Sequence, residues 1–143
     1  HDLSYKYARL RERGYKSVLH LRDLSYQAIE YASDLSAAAG MAAMTKLLAA
    51  EPRPDAVFAV SDTLAAGALR AIEKAGLRVP QDIAVVGFDG TELSEMVSLT
   101  TIEQPSRDIG RKAVDLLLNK IDNPDAPTER VMMNWRFISR AST

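Results

Sequence analysis

The sequence predicts an α/β domain, a parallel sheet flanked by helices, and three observations carry that prediction. One grammar occurs twice. Pro54-Asp55-Ala56-Val57-Phe58-Ala59-Val60-Ser61-Asp62 and Asp82-Ile83-Ala84-Val85-Val86-Gly87-Phe88-Asp89-Gly90 are each an apolar run that ends on a turn carrying a carboxylate. Both runs are continuous rather than alternating, as in strands covered on both faces. A segment of helical period separates them, which makes one βαβ unit. In open sheets of this kind ligands bind at the carboxyl ends of the strands. Asp62 and Asp89 are therefore expected side by side at a crevice.

The remaining elements follow in chain order. Ser4 can cap a first helix running to about Arg13, with Gly14 suited to the left-handed residue after its end. Tyr26 to Tyr31 alternates weakly and is fairly rich in strand formers, so a strand is expected there. Ser36 caps a second helix, whose apolar face is Ala37, Met41, Met44 and Leu48; Pro52 and Pro54 close it. Ala56 to Val60 is the first buried strand. Ser61 or Asp62 caps the next helix, Thr63 to Ala75. Its buried stripe is Leu64, Ala68, Leu69 and Ile72, and Gly76 ends it. Ala65, Ala66 and Gly67 permit close packing. Val79-Pro80 leads into the second buried strand, Ile83 to Val86. Leu99 to Ile102 is a short β-branched strand. Pro105 and Ser106 start a helix to about Ile121, with Ile109, Ala113, Leu116, Leu117 and Ile121 on one face. Asn123 to Pro127 is a loop, Val131 to Ile138 a last strand, and Arg140 to Thr143 a tail.

Composition bounds the function. The 143 residues suit one domain with a real core. With 47% hydrophobic and 26% charged residues the chain reads as an ordinary soluble protein. A net charge of -1 argues against this segment being a nucleic-acid surface, which needs clustered Lys and Arg. The absence of cysteine excludes disulfide scaffolds and Cys-ligated zinc or iron–sulfur sites. No apolar run reaches the length of a membrane span. His1-Asp2-Leu3-Ser4 has no signal-peptide pattern. A cytoplasmic protein with no membrane partner is expected.

Catalytic signatures are missing. The two histidines, His1 and His20, have no second His at metal-ligand spacing, so no metal site is expected. There is no Gly-x-Ser-x-Gly elbow, phosphate loop or dinucleotide fingerprint, and no cofactor is expected. Gly87 and Gly90 suit a sharp turn. What remains is binding. A carboxylate at a strand end accepts hydrogen bonds from hydroxyl or amino groups, which selects sugars, nucleosides or amines. Capping accounts for Asp62 as well as ligand contact does. Asp89 starts no evident helix, so capping explains it less well, although an Asx-turn is open to it.

At these residues the chain resembles the lactose-repressor (LacI/GalR) family of bacterial transcription regulators. The matching stretches are Pro54 to Asp62, Gly76 to Pro80 with Asp82 to Asp89, Leu99 to Ile102 with Gln104-Pro105, Ile109-Gly110, and Arg140 to Thr143. The resemblance implies a periplasmic-binding-protein-like fold in which two α/β subdomains clamp a small effector. It implies that the chain is mostly the C-terminal subdomain, beginning after its first strand, with the first subdomain and the helix-turn-helix outside it. DNA would then be a partner only through that other domain, and a homodimer is expected. The resemblance also assigns effector contacts: Arg11 as a donor, Leu35 as an apolar wall where the family often has a ring, Ser61, Asp62 and Asp89 as polar contacts at strand ends, and Gln104 near the crossover. The loop from Gly90 to Ser98 lacks the prolines usual before Leu99. The apolar face of the helix from Ser106 would lack its usual partner, so self-association or an altered docking is expected to cover it. A transporter's solute-binding protein shares this fold and is the main rival; an enzyme using Asp62 and Asp89 as acid and base is the other.

Overall fold

The fold is a computed structural model that describes residues 6–24 and 28–143. The elements are α1 (Lys6–Leu21), α2 (Ala37–Leu48), β1 (Ala56–Phe58), α3 (Asp62–Lys74), β2 (Ala84–Asp89), α4 (Glu92–Met96), β3 (Thr100–Glu103), α5 (Ser106–Asp122) and β4 (Arg136–Ile138). The sheet runs in the order β1-β2-β3-β4. β1, β2 and β3 are parallel, and β4 is antiparallel to β3. Register sets Val57 against Val85 and Gly87 against Thr101. The doubled strand grammar thus becomes two neighbouring parallel strands, and both turns fall on one edge.

The core lies between this sheet and the α2–α3 pair. Met44, Ile72, Ile83, Val85 and Leu99 are essentially inaccessible. Each such side chain contributes about 1.5–3 kcal/mol when taken out of water. The helices approach closely because two glycines face each other's backbones. A Cβ on Gly40 would stand 2.3 Å from the Leu64 carbonyl oxygen, and one on Gly67 would stand 2.0 Å from that of Ala37. The buried face of α2 is therefore Ala39, Gly40 and Met44, with Met41 and Leu48 beside it, while Ala37 is exposed. Ser36 caps α2, its hydroxyl accepting from the Ala39 amide at 3.1 Å. On α3, Leu64, Ala68 and Ile72 are buried as expected, and Leu69 is half-buried. Gly76, with φ +73°, follows the end of that helix.

Several expectations need correction. α1 does not stop at Arg13 but runs through Gly14 to Leu21. An interior glycine costs only about 1 kcal/mol relative to alanine, and Tyr7, Arg11, Tyr15 and Leu19 continue one face past it. The expected Ser4 cap lies outside the described residues. Residues 28–31 of the expected strand Tyr26 to Tyr31 have no regular structure, and residues 25–27 are outside the described set. A strand needs a ladder partner, and a hollow separates this segment from β1. The last strand is three residues, not eight. A short helix, α4, follows Thr91 where none was expected. Arg140 to Thr143 is no tail. Ser142 donates its hydroxyl to the Val85 carbonyl and accepts from the Thr100 amide, at 2.6 and 2.8 Å. Arg140 Nη1 donates to the Leu99 carbonyl at 2.8 Å and to Ser94 Oγ at 3.2 Å.

α5 has its expected length but no buried residue. Ile109, Leu117 and Ile121 are exposed, as are Val114 and Leu118. Among the described residues no element buries that stripe.

Candidate functional site

The carboxyl edge of the sheet is built by three turns: 59–62 after β1, 89–91 after β2 and 104–105 after β3. The first turn is committed to structure. Ser61 is the N-cap of α3, its hydroxyl accepting from the Leu64 amide at 3.2 Å, and it is 6% exposed. Asp62 is fully buried. Its Oδ1 accepts from the Thr101 hydroxyl at 2.6 Å. Its Oδ2 accepts from the Thr91 amide and hydroxyl, at 2.7 and 2.9 Å. The carboxylate thus points into the junction of α3, β3 and the turn before α4, not into the crevice, and it has no access to solvent. Gly87 makes room for it: a Cβ there would lie 2.5 Å from Asp62 Oδ1.

The second turn presents Asp89. Its φ is +119° and Gly90 follows at +74°. A non-glycine residue at such φ is uncommon and persists only where its surroundings fix it. Here Gln104 does so twice. Its side-chain amide donates to Asp89 Oδ1 at 2.8 Å, and its backbone amide donates to the Asp89 carbonyl at 3.2 Å.

Arg11 reaches this turn from α1. Its Nη1 donates to the Val60 carbonyl, and its Nη2 lies 3.5 Å from Asp89 Oδ1. Its guanidinium also sits over two rings, 3.5 Å from the Phe88 centroid and 5.0 Å from that of Tyr7. The side chains of Arg11 and Asp89 are 15% and 34% exposed, so the pair is sheltered yet reachable. Burial pushes the Asp89 carboxyl above its ordinary value, and the Arg11 charge opposes that. Burial likewise lowers the Arg11 pKa, with Asp89 opposing. Both shifts express the cost of holding charge in a half-dry site.

The structure therefore brings together Arg11, Asp89 and Gln104. It places Ser61 and Asp62 beside them with their capping and bonding already engaged. Leu35 is 51% exposed and lines a hollow of about 970 Å³ between α1, residues 28–35 and β1, which Tyr7 and Val60, both in contact with Arg11, also line. That hollow follows the open edge of β1. The Asp55 carbonyl and Ala59 amide bond to β2, so the backbone groups of Ala56 and Phe58 face the hollow by the alternation of a ladder.

Sequence reasoning missed Tyr7, Phe88, Thr91 and Thr101. Tyr7 precedes Arg11 by four residues, the spacing that puts two side chains on one helix face. In β2 the alternation of buried and half-buried positions sets Phe88 with Val86, opposite Val85 and Gly87. Those two signals were present in the pattern; the threonine contacts depend on tertiary register alone.

Chemically the cluster offers a charged donor fork beside a carboxylate. Asp89 Oδ2 accepts from no donor among the described residues. Such a pair suits a ligand with hydroxyls that can both give and take hydrogen bonds. Among the described residues no group of His, Asp and Glu side chains could hold a metal ion. None of the described helices is long and apolar enough to cross a membrane.

Residues 2–143 match the family described as periplasmic binding protein-like domain. Over 138 residues the chain is 37% identical to the ribose operon repressor of Escherichia coli, covering 94% of this chain and 42% of that protein. Over 113 residues it is 41% identical to the HTH-type transcriptional repressor PurR of Aliivibrio fischeri, covering 76% and 34%. A solved LacI family transcriptional regulator from Enterococcus faecium with bound ribose superposes with a TM-score of 0.85 at 31% identity, over 93% of this chain and 50% of that one. The chain spans less than half the length of these curated relatives.

Proposed function

The chain belongs to the LacI family of regulators, within the periplasmic binding protein-like domain family, and from that membership we propose that it is the effector-sensing part of a DNA-binding transcription regulator. The relatives are named as repressors, and among the described residues no cluster could hold a metal ion. The carrying observation is the Arg11–Asp89–Gln104 cluster on the carboxyl edge of the sheet. Asp89 accepts from ligand hydroxyls, Arg11 donates to ligand oxygens, and Gln104 holds Asp89 in its uncommon backbone conformation. Ser61 and Asp62 shape that edge from behind.

The effector is a small polyhydroxylated molecule of the sugar class. The ribose named with two relatives supports a pentose as the first probe. DNA contact falls to parts of the longer protein outside these residues, and the working unit is a homodimer in the cytoplasm. The effector acts by population shift: it favours one arrangement of the clamp, and that arrangement changes the spacing of the DNA-binding heads.

Nitrogen-15 correlation spectra of the chain titrated with D-ribose to high millimolar concentration test the reading. Saturable shifts centred on the Gln104 side-chain amide and the Asp89 and Gly90 amides support it. A titration that moves only residues remote from that edge, or none, rejects it.

A further inference from the structure

The Arg11 guanidinium does more than face Asp89. Its central carbon lies 3.5 Å from the Phe88 ring centroid and 5.0 Å from that of Tyr7. Phe88 is itself braced edge-on by Phe58, at 6.4 Å and an interplanar angle of 69°. The two rings come from different elements: Tyr7 from α1, one turn before Arg11, and Phe88 from β2, one residue before Asp89. Two N–H groups are already directed, one to the Val60 carbonyl and one toward Asp89. An arginine side chain free in solution samples many rotamers, and ordering it costs conformational entropy. Aromatic faces against a partly desolvated guanidinium offset part of that cost.

We propose that Tyr7 and Phe88 are positioning residues that hold Arg11 edge-on to the effector, so that the site selects oxygen-bearing ligands over flat rings that would stack on arginine. The selectivity rests on the effector reading above; the clamp itself does not. Phe88, at 3.5 Å, takes up guanidinium surface on which a nucleobase would lie, and Tyr7, at 5.0 Å, crowds the same group. What stays open is the N–H edge, whose geometry matches acceptor oxygens in that plane.

The test uses Phe88→Leu, which keeps apolar bulk but removes the ring, Phe88→Tyr, which restores it, and Tyr7→Leu on the half-buried surface of α1. Three quantities are read. The first is the Arg11 side-chain N–H resonances, which the clamp expects ring currents to displace in the unmodified chain. The second is the Asp89 carboxyl titration, followed by carbon-13 NMR. The third is affinity for D-ribose against adenine. The clamp predicts that Phe88→Leu and Tyr7→Leu return the Arg11 resonances toward free-arginine values and raise the Asp89 midpoint, since its counter-charge is no longer held. It predicts that both Leu variants weaken ribose on the order of tenfold while adenine gains relative to ribose, and that Phe88→Tyr restores all three. Folding is followed independently through the Gln104 side-chain amide and core methyl signals. Leu variants that fold but leave the Arg11 resonances and the Asp89 titration unchanged overturn the clamp. Ribose binding that survives both Leu variants unaltered also overturns it. An unmodified chain that shows the displaced Arg11 resonances yet binds no ribose overturns the selectivity and the effector reading, while the clamp stands.

Discussion

The Thr101 hydroxyl donates to Asp62 Oδ1 at 2.6 Å, tying the first turn of α3 to the middle of the sheet. The other oxygen of the same buried carboxylate holds Thr91, the residue that precedes α4. Three donors thus depend on one side chain, which also sits at the positive end of α3. Asp62→Ala leaves those donors buried without acceptors and is expected to cost about 3 kcal/mol or more. Asp62→Asn keeps one acceptor and should cost distinctly less. Urea unfolding measures both; an Asp62→Ala loss below about 1 kcal/mol contradicts the assigned role.

Three glycines should respond in opposite directions. Gly40→Ala and Gly67→Ala drive a methyl into the facing backbone at the α2–α3 contact, an overpacking that costs about 1–3 kcal/mol. Gly14→Ala meets nothing within 4 Å inside α1 and should stabilise by about 0.5–1 kcal/mol. Thermal midpoints of the three variants check the signs together.

Among the described residues Asp82 is the carboxylate with the largest downward shift, and it contributes acid sensitivity. The Arg78 side chain bonds Asp82 through Nε and Nη2, both at 2.9 Å, and its backbone amide adds a third bond at 2.8 Å. Together they lower the Asp82 carboxyl from 3.8 to about 2. A depressed carboxylate contributes stability above its unfolded pKa and loses it as pH falls through the folded one. The contribution is therefore full above 3.8 and fades toward about 2. Asp82→Asn should flatten the fall of the thermal midpoint over that interval relative to the parent chain. An unchanged slope contradicts the assignment.

The fold was legible where local signals agreed with tertiary ones. The two apolar runs became parallel neighbours because continuous burial, turn position and the intervening helix all pointed to one βαβ unit. The Ser36 cap and the close approach at Gly67 were readable for the same reason. Legibility ended where a neighbour decides. Residues 28–31 have strand composition but no ladder partner. Gly14 looks like a helix end yet lies inside α1, since the apolar face simply continues. Arg140 to Thr143 carries polar residues that resemble a tail, and only tertiary register reveals that they lock β2 to β3. At the candidate site, strand-end position pointed to Asp89, and the family resemblance to Arg11 and Gln104. Periodicity could not show that Asp62 turns inward, because an exposed cap and a buried one look alike in sequence.

The exposed stripe on α5 bears on association. Leu117, Leu118 and Ile121 are each more than half exposed, on a helix with no buried residue. Contiguous apolar surface of this kind seeks a partner. The chain should sediment as a concentration-dependent oligomer, and Leu117→Glu with Leu118→Glu should shift it toward monomer. A parent chain that stays monomeric at high micromolar concentration contradicts this.

The most direct test of the binding edge is D-ribose affinity compared between the parent chain and Asp89→Asn, measured by the same amide titration. The variant keeps the shape of the turn and an acceptor for Gln104 but removes the charge that faces Arg11. The account predicts saturable binding in the parent and a loss on the order of a hundredfold in the variant, as when a sheltered charge-assisted contact is broken. Equal ribose affinity in the two proteins would contradict it.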